Sequence, residues 1–232
     1  DKESLSQIAY DATETSDDFF NYSTVVVKKP WGYEYLIFEN ESVAVWILYL
    51  KNEALTSMHC HPGKKTSLVV LQGKVVCSSL TNQFERFVGE GLLMDKGAFH
   101  QTRSVSESGA FIMEIESPVN KRDLVRFKDK YGREGKGYEK SDKHSANLQN
   151  YNYLSLHTPE IPYNLKKQFG QCSLTFKKIS RSQGIDKLFT LNNEDVISVL
   201  CGQILNQNGQ TVVDIGDTVT VEELKQAVGP HV

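Results

Sequence analysis

Between Thr24 and Pro118 the chain is a succession of short apolar and β-branched runs, each stopped by glycine, asparagine, aspartate or proline. The runs are Val25–Val27, Tyr33–Phe38, Val43–Leu50, Ser67–Leu71, Lys74–Ser78, Phe84–Val88, Gly91–Met94, Gln101–Val105 and Ala110–Ile115. β-Branched and aromatic side chains suit a pleated surface, and turn residues at short regular intervals mark a β-sandwich or barrel. A helical period is hardly sustained anywhere in this stretch, so the expected core is an all-β barrel.

The flanks read differently. Residues 1–23 are polar and acidic, with Asp11, Glu14, Asp17 and Asp18 beside Phe19-Phe20, and read as an N-terminal arm with a short helix. Residues 119–140 are strongly charged, and Leu124, Val125 and Phe127 suit a short helix that Gly132, Gly135 and Gly137 would end. The barrel with this closing segment therefore takes 24–140. Residues 141–165, rich in Ser, Asn, His and Tyr and holding Pro159 and Pro162, read as a linker. Residues 166–232 form a second, smaller β unit. Ile197–Leu205 echoes Leu68–Val76, and Val213–Val219 echoes Phe87–Leu93. Aligning Gly202 on Gly73 sets Leu188 and Thr190 at the positions of His59 and His61. Such a copy would be degenerate and incomplete, ending in a helix at Val221–Ala227. The alternative is chance likeness, since any two β-segments closing on glycine look similar.

Half of the chain's 6 histidines lie in one pattern. His59 and His61 alternate on a strand and so share a face, and His100 follows the turn at Asp95–Gly97. Three imidazoles on one ion leave other positions open for water or substrate, as catalytic metals require. One divalent transition ion is expected, and Fe, Zn, Mn, Ni and Cu all accept such a set. The rival reading is that the histidines only line a pocket. Cys60 alternates away from its neighbours and is not counted as a ligand. Cys60, Cys77, Cys172 and Cys201 form no CxxC pair and suit reduced thiols in a cytoplasmic protein.

Other candidates surround this pattern. Glu114 and Glu116 share one strand face; if it points inward one can act as a general base, with Tyr49 or Tyr35 as proton donor, and otherwise they are surface or packing groups. Lys64, Lys65 and Arg103 are candidates to hold a phosphate or carboxylate, or else are solvated charges. Thr66 is placed to hydrogen-bond a metal-bound water. Trp31 and Trp46 read as core. A formal net charge of -3 argues against a general nucleic-acid binder, and no run of about 18 apolar residues suggests a membrane span.

These spacings resemble a known family. His59-x-His61, Thr66 and Gly73, followed by Gly89, Asp95-x-Gly97 and His100, resemble the two motifs of the cupins, with Thr66 at the usual glutamate and Asp95 at a proline. Lys29-Pro30-Trp31-Gly32-Tyr33-Glu34 and Glu114-Ile115-Glu116, with Asp123 to Arg133, resemble the ends of the type II mannose-6-phosphate isomerase domain. That likeness covers about residues 28–134. It implies a cupin (jelly-roll) barrel, sugar-phosphate or nucleotide-sugar metabolism, a small anionic substrate and isomerase-like chemistry. It also hints that Arg126, Asp129, Tyr131 and Arg133 contact the ligand; ion pairs pinning the closing segment are the other reading. By the same likeness a homodimer is expected, through edge strands or exchange of the 1–23 arm. The isomerase family's glutamate, the histidine adjacent to it and the tryptophan are absent from Pro62–Leu68. A three-histidine set without carboxylate also resembles the thiol dioxygenases, so an Fe(II) dioxygenase is the alternative enzyme. A non-catalytic ligand-binding cupin is the third reading.

Overall fold

The computed structural model describes residues 20–139, 141–154, 156, 165–179 and 184–229. The 1–23 arm up to Phe19, with its expected helix, and Pro159 and Pro162 lie outside the described residues.

The expected strands form, joined by short ones in the closing segment and in the stretch read as a linker. They are β1 (Val26–Lys29), β2 (Gly32–Glu39), β3 (Ala44–Leu50), β4 (Met58–Cys60), β5 (Lys65–Gln72), β6 (Val75–Ser78), β7 (Gln83–Arg86), β8 (Gly91–Met94), β9 (Gln101–Ser104), β10 (Ala110–Ser117), β11 (Val125–Lys128) and β12 (His144–Ser145). One sheet has 7 strands in the order β12-β1-β2-β3-β10-β5-β8. Facing it, β7-β6-β9 and the pair β11-β4 are joined by isolated bridges, Leu55 to Arg103 and His59 to His100. All pairings are antiparallel. The result is an all-β jelly-roll barrel.

The larger sheet is covered on both faces, which explains why β3 reads Ala-Val-Trp-Ile-Leu-Tyr-Leu without polar alternation. Trp46, Leu48, Leu50, Leu68, Val70 and Ile112 point into the barrel. Val45, Ile47, Val69, Leu71 and Ile115 point outward into a second core. That outer core is closed by Leu154 and Leu156 and by the hairpin β13 (Leu165–Phe169)–β14 (Cys172–Phe176). Tyr35 Oη donates to the Asn152 carbonyl at 2.8 Å. The segment read as a linker is thus, where described, a packed strap with an edge strand. Gly32 shows how tight β2 and β3 lie: a Cβ there would sit 1.9 Å from the Tyr49 carbonyl oxygen.

Two further expectations are corrected. The helix expected around Leu124–Phe127 is strand β11, because Val125 and Phe127 alternate on one side against Cys60, Phe99 and Met58. A period of two, masked by charged neighbours, won over the helical reading. β11 pairs with β4 and sets Arg126 opposite His59.

The C-terminal echo is present, with its second half displaced by one residue. Strands β15 (Val196–Ser198), β16 (Ile204–Leu205), β17 (Thr211–Val213) and β18 (Thr218–Thr220) repeat the course of β5 to β8. Val70 receives the Gly89 N–H at 2.9 Å and donates to the Glu90 carbonyl at 3.1 Å; Val199 does the same with Gly216 at 2.8 Å and Asp217 at 3.1 Å. The Phe87 N–H donates to the Glu90 carboxylate at 3.0 Å, as that of Asp214 does to Asp217 at 2.8 Å. Gly216 therefore corresponds to Gly89, where the sequence alignment set it on Glu90. What is missing are the ligand-bearing ends. Leu188 lies in helix α1 (Asp186–Phe189), and β18 runs directly into helix α2 (Val221–Val228) through a capping box between Thr220 and Glu223. The incomplete copy rests on the outer face of β5, where Ser67 Oγ donates to the Gly216 carbonyl at 2.7 Å.

Candidate metal centre

The histidines meet because of the strand register. His59 and His100 face each other and exchange both backbone hydrogen bonds, at 3.0 and 2.8 Å. Residues opposite each other in a ladder project their side chains to the same face. His61, two residues on, projects there too. The ring centroids lie 4.3, 5.0 and 5.3 Å apart, and one ligand atom from each ring lies within 4.8 Å of the others.

Each ring has its tautomer fixed. Nδ1 of His59 donates to the Ser57 carbonyl at 2.8 Å, Nδ1 of His100 to the Ala98 carbonyl at 3.0 Å, and Nδ1 of His61 to the Asp123 carbonyl. A carbonyl only accepts, so each Nδ1 carries the proton and each Nε2 presents a lone pair. Nε2 of His61 and of His100 is buried with no hydrogen-bond partner among the described residues. Burial keeps all three rings neutral: it holds His59 and His61 well below the usual histidine range and His100 at about 4. Orphaned, neutral, converging nitrogens are the donor set that a divalent transition metal takes, so these residues fit the ion. Buried Thr66 Oγ1 also has no partner among the described residues, and Thr66 alternates with Leu68 and Val70 toward the barrel interior.

Beside the histidines opens a pocket of about 480 Å³ including its mouth, whose walls carry an unusual density of charge. Glu114 and Glu116 both line it. Lys64 Nζ, 1 % exposed on its side chain, lies 2.6 Å from Glu116. Lys121 lies 3.1 Å from Glu34 and 3.9 Å from Glu116, and its ammonium sits 3.5 Å above the Trp46 ring. Burial raises every carboxyl here, and the nearby cations decide the outcome. Lys121 and then Lys29 pull Glu34 down to about 2. Lys121 and then Lys64 hold Glu116 low. Among the described residues no ion pair reaches Glu114, and burial followed by the charge of Glu116 outweighs the pull of Lys121 and pushes it up to about 8.

A stability prediction follows for the metal-free protein. The histidines, depressed from 6.5, add stability as pH rises to about 6.5 and contribute no further slope above it. Glu114, raised to about 8, contributes stability that is complete below its unfolded value of 4.5 and is lost as pH rises through about 8. Urea midpoints are therefore expected to fall between pH 6.5 and 8, and Glu114→Gln is expected to flatten that fall. An equal slope in the variant would remove Glu114 as its source.

The other sequence candidates are dispersed. Tyr49 does not reach the pocket: it lies on the outer face with Tyr33 and Phe111, its hydroxyl donating to the Ser108 carbonyl at 3.1 Å. Tyr35 is buried in that outer core. Lys65 points outward to Asp217 of the incomplete copy at 2.6 Å, because it alternates with Lys64. Arg103 forms an exposed pair with Glu53 at 2.9 Å. Lys64 and Arg126 do line the pocket, as does Trp31. Sequence reasoning passed over Lys29, Glu34, Lys121 and Tyr138 as pocket residues. Lys29 and Glu34 stand in the Lys-Pro-Trp-Gly-Tyr-Glu segment, whose polar residues inside a strand were the available signal.

No protein-family model matches the chain, and no curated protein matches it. Among solved structures it is similar to KdgF from Halomonas sp., at 12 % identity and a TM-score of 0.38, over 40 % of this chain and 84 % of that one. It is also similar to a sugar phosphate isomerase of the cupin superfamily from Silicibacter pomeroyi, at 14 % identity and a TM-score of 0.34, over 37 % of this chain and 57 % of that one. Oxalate decarboxylase from Bacillus subtilis matches at 15 % identity and a TM-score of 0.42, over 47 % of this chain and 31 % of that one. Among the described residues no helix is long and apolar enough to cross a membrane.

Proposed function

We propose that the chain is a metal-dependent enzyme that moves a proton within a small anionic substrate of the sugar-phosphate class, an isomerase-like reaction. The observation that carries this reading is the Glu114–Glu116 pair, driven apart in protonation and set in one pocket with His59 and His61 of the histidine cluster. Carboxyls whose environments push their pKa values apart divide naturally into acid and base. When bound, the divalent ion supplies Lewis-acid polarisation of a substrate oxygen. Glu114 holds a proton at neutral pH and can hand it to that oxygen. Glu116 is ionised and can take a proton from carbon. One proton leaves Glu114 as one arrives at Glu116, so the pair carries a single negative charge before and after, which Lys121 and Lys64 balance. The cations on the wall favour an anionic substrate.

The test is solvent exchange. Sugar phosphates incubated with the enzyme in deuterated water are expected to gain deuterium at the carbon next to the carbonyl. Glu114→Gln keeps the shape but cannot release a proton, and is expected to slow exchange about 10²–10⁴-fold with metal content unchanged. Oxygen consumption coupled to turnover would instead identify a three-histidine dioxygenase. Stoichiometric metal with neither exchange nor oxygen uptake would leave a ligand-binding protein.

A further inference from the structure

Three cations inside the pocket share one acceptor. Lys29, Arg126 and Arg133 all line the pocket, and all three contact the carboxylate of Glu139. Arg133 reaches Oε1 at 2.6 Å and Arg126 reaches the same oxygen at 3.2 Å, while Lys29 holds Oε2. Glu139 comes from no strand of the barrel; it follows the glycine-containing strap Gly132–Gly137, whose Lys136 and Gly137 carbonyls accept from Arg126 Nη1. Cβ atoms built on Gly132, Gly135 and Gly137 would meet nothing within 4 Å, so this strap is not wedged into the barrel at those positions.

Arg126 is the telling member. It is 5 % exposed, and its Nε has no hydrogen-bond partner among the described residues. A guanidinium grips a phosphate or carboxylate through two parallel N–H bonds, and its Nε–Nη2 edge is one such pair. Here Glu139 takes Nη2 and leaves Nε unfilled, a partial grip on an edge built for a two-oxygen ligand.

We propose that Lys29, Arg126 and Arg133 form the phosphate subsite of the pocket, and that Glu139 is a built-in competitor which the phosphate group of a substrate displaces. A phosphate monoester offers three terminal oxygens, one for each cation, where the carboxylate offers two and shares one of them. The dianion also meets three positive groups better than a monoanion does. This subsite rests on the sugar-phosphate reading above, yet its test needs no turnover. Loss of proton exchange with phosphate binding intact would sink the reaction and leave the subsite standing.

Inorganic phosphate is the probe, titrated calorimetrically into the protein as purified, with propionate as the carboxylate control. A competitor seated most of the time lowers apparent affinity by the fraction of time the site is open. Glu139→Gln is therefore expected to tighten phosphate about tenfold, Glu139→Asp by less, and neither to change metal content. Lys29→Met and Arg126→Gln are expected to abolish the gain; phosphate affinity indifferent to both would place the anion elsewhere and overturn the proposal. Propionate binding as tightly as phosphate would overturn the phosphate assignment. In the unaltered chain, phosphate is expected to speed tryptic cleavage after exposed Lys136 as the strap comes free. If Glu139→Gln folds without tightening phosphate, or fails to fold and phosphate leaves cleavage of the unaltered chain unchanged, the strap is structural only and the proposal fails.

Discussion

Replacing His100 by alanine is expected to strip the purified protein of stoichiometric metal, and His59→Ala or His61→Ala to do the same. Among the described residues these three histidines are the group placed to hold an ion, and their Nε2 atoms are the donors it would take. Losing a group that merely orients a ligand costs metal affinity about 10–100-fold, and losing one of three ligands must cost more. The fold is expected to survive, because β4 and the start of β9 are held by backbone bonds between residues 59 and 100 that alanine keeps. Elemental analysis of protein purified without added metal, with Tyr49→Phe as a remote control, is the measurement. Metal content equal to the unaltered chain in all three variants would refute the centre. Thr66→Glu is the complementary change: a carboxylate on the same strand face would add a charged donor, and retention of metal against a chelator is expected to rise.

The metal centre was legible because its logic is local. Alternation on a strand puts His59 and His61 on one side and Cys60 on the other, and a spacing rule was enough to bring in His100. The β character of 24–118 was legible for the same reason. What stayed hidden depends on pairing between distant segments. The charged residues around β11 gave it the look of a helix, and only its pairing with β4 shows why Arg126 ends beside His59. Lys64 and Lys65 are adjacent in sequence and chemically identical, yet one is sealed inside the barrel and the other bonds Asp217 on the outside. Nothing local distinguishes them except the parity of the strand. Likewise Tyr49 belonged to a run buried on both faces, where apolar pattern cannot say which side a residue takes. The pocket charges were missed because each looks ordinary alone, and only the barrel brings Lys29, Lys121 and Glu34 within reach of one another.

The parity of Lys64 leads to the second large effect, on stability. Lys64→Met is expected to destabilise the protein by about 3–5 kcal/mol, because it leaves a buried carboxylate without its closest partner. Glu116 is 2 % exposed, and Lys64 at 2.6 Å is its nearest cation. Lys121 keeps its pull on Glu116 but makes no close contact with it, standing 3.9 Å away while held at 3.1 Å by Glu34, so the hydrogen bond that Lys64 gives is not replaced. The loss is a large share of the roughly 5–15 kcal/mol that holds a typical domain together. Its pH dependence is signed. Glu116, held low by Lys121 and Lys64, contributes stability present above its unfolded value of 4.5 and lost as pH falls through its lower folded value. The deficit of Lys64→Met is therefore expected to be full at neutral pH and to shrink below pH 4.5, where protonation relieves the stranded charge. Urea unfolding of the single variants and of Lys64→Met with Glu116→Gln measures the coupling: removing both charges together is expected to cost less than the two single losses added. Strict additivity in that cycle would show that the two side chains, though 2.6 Å apart, do not hold each other in the barrel.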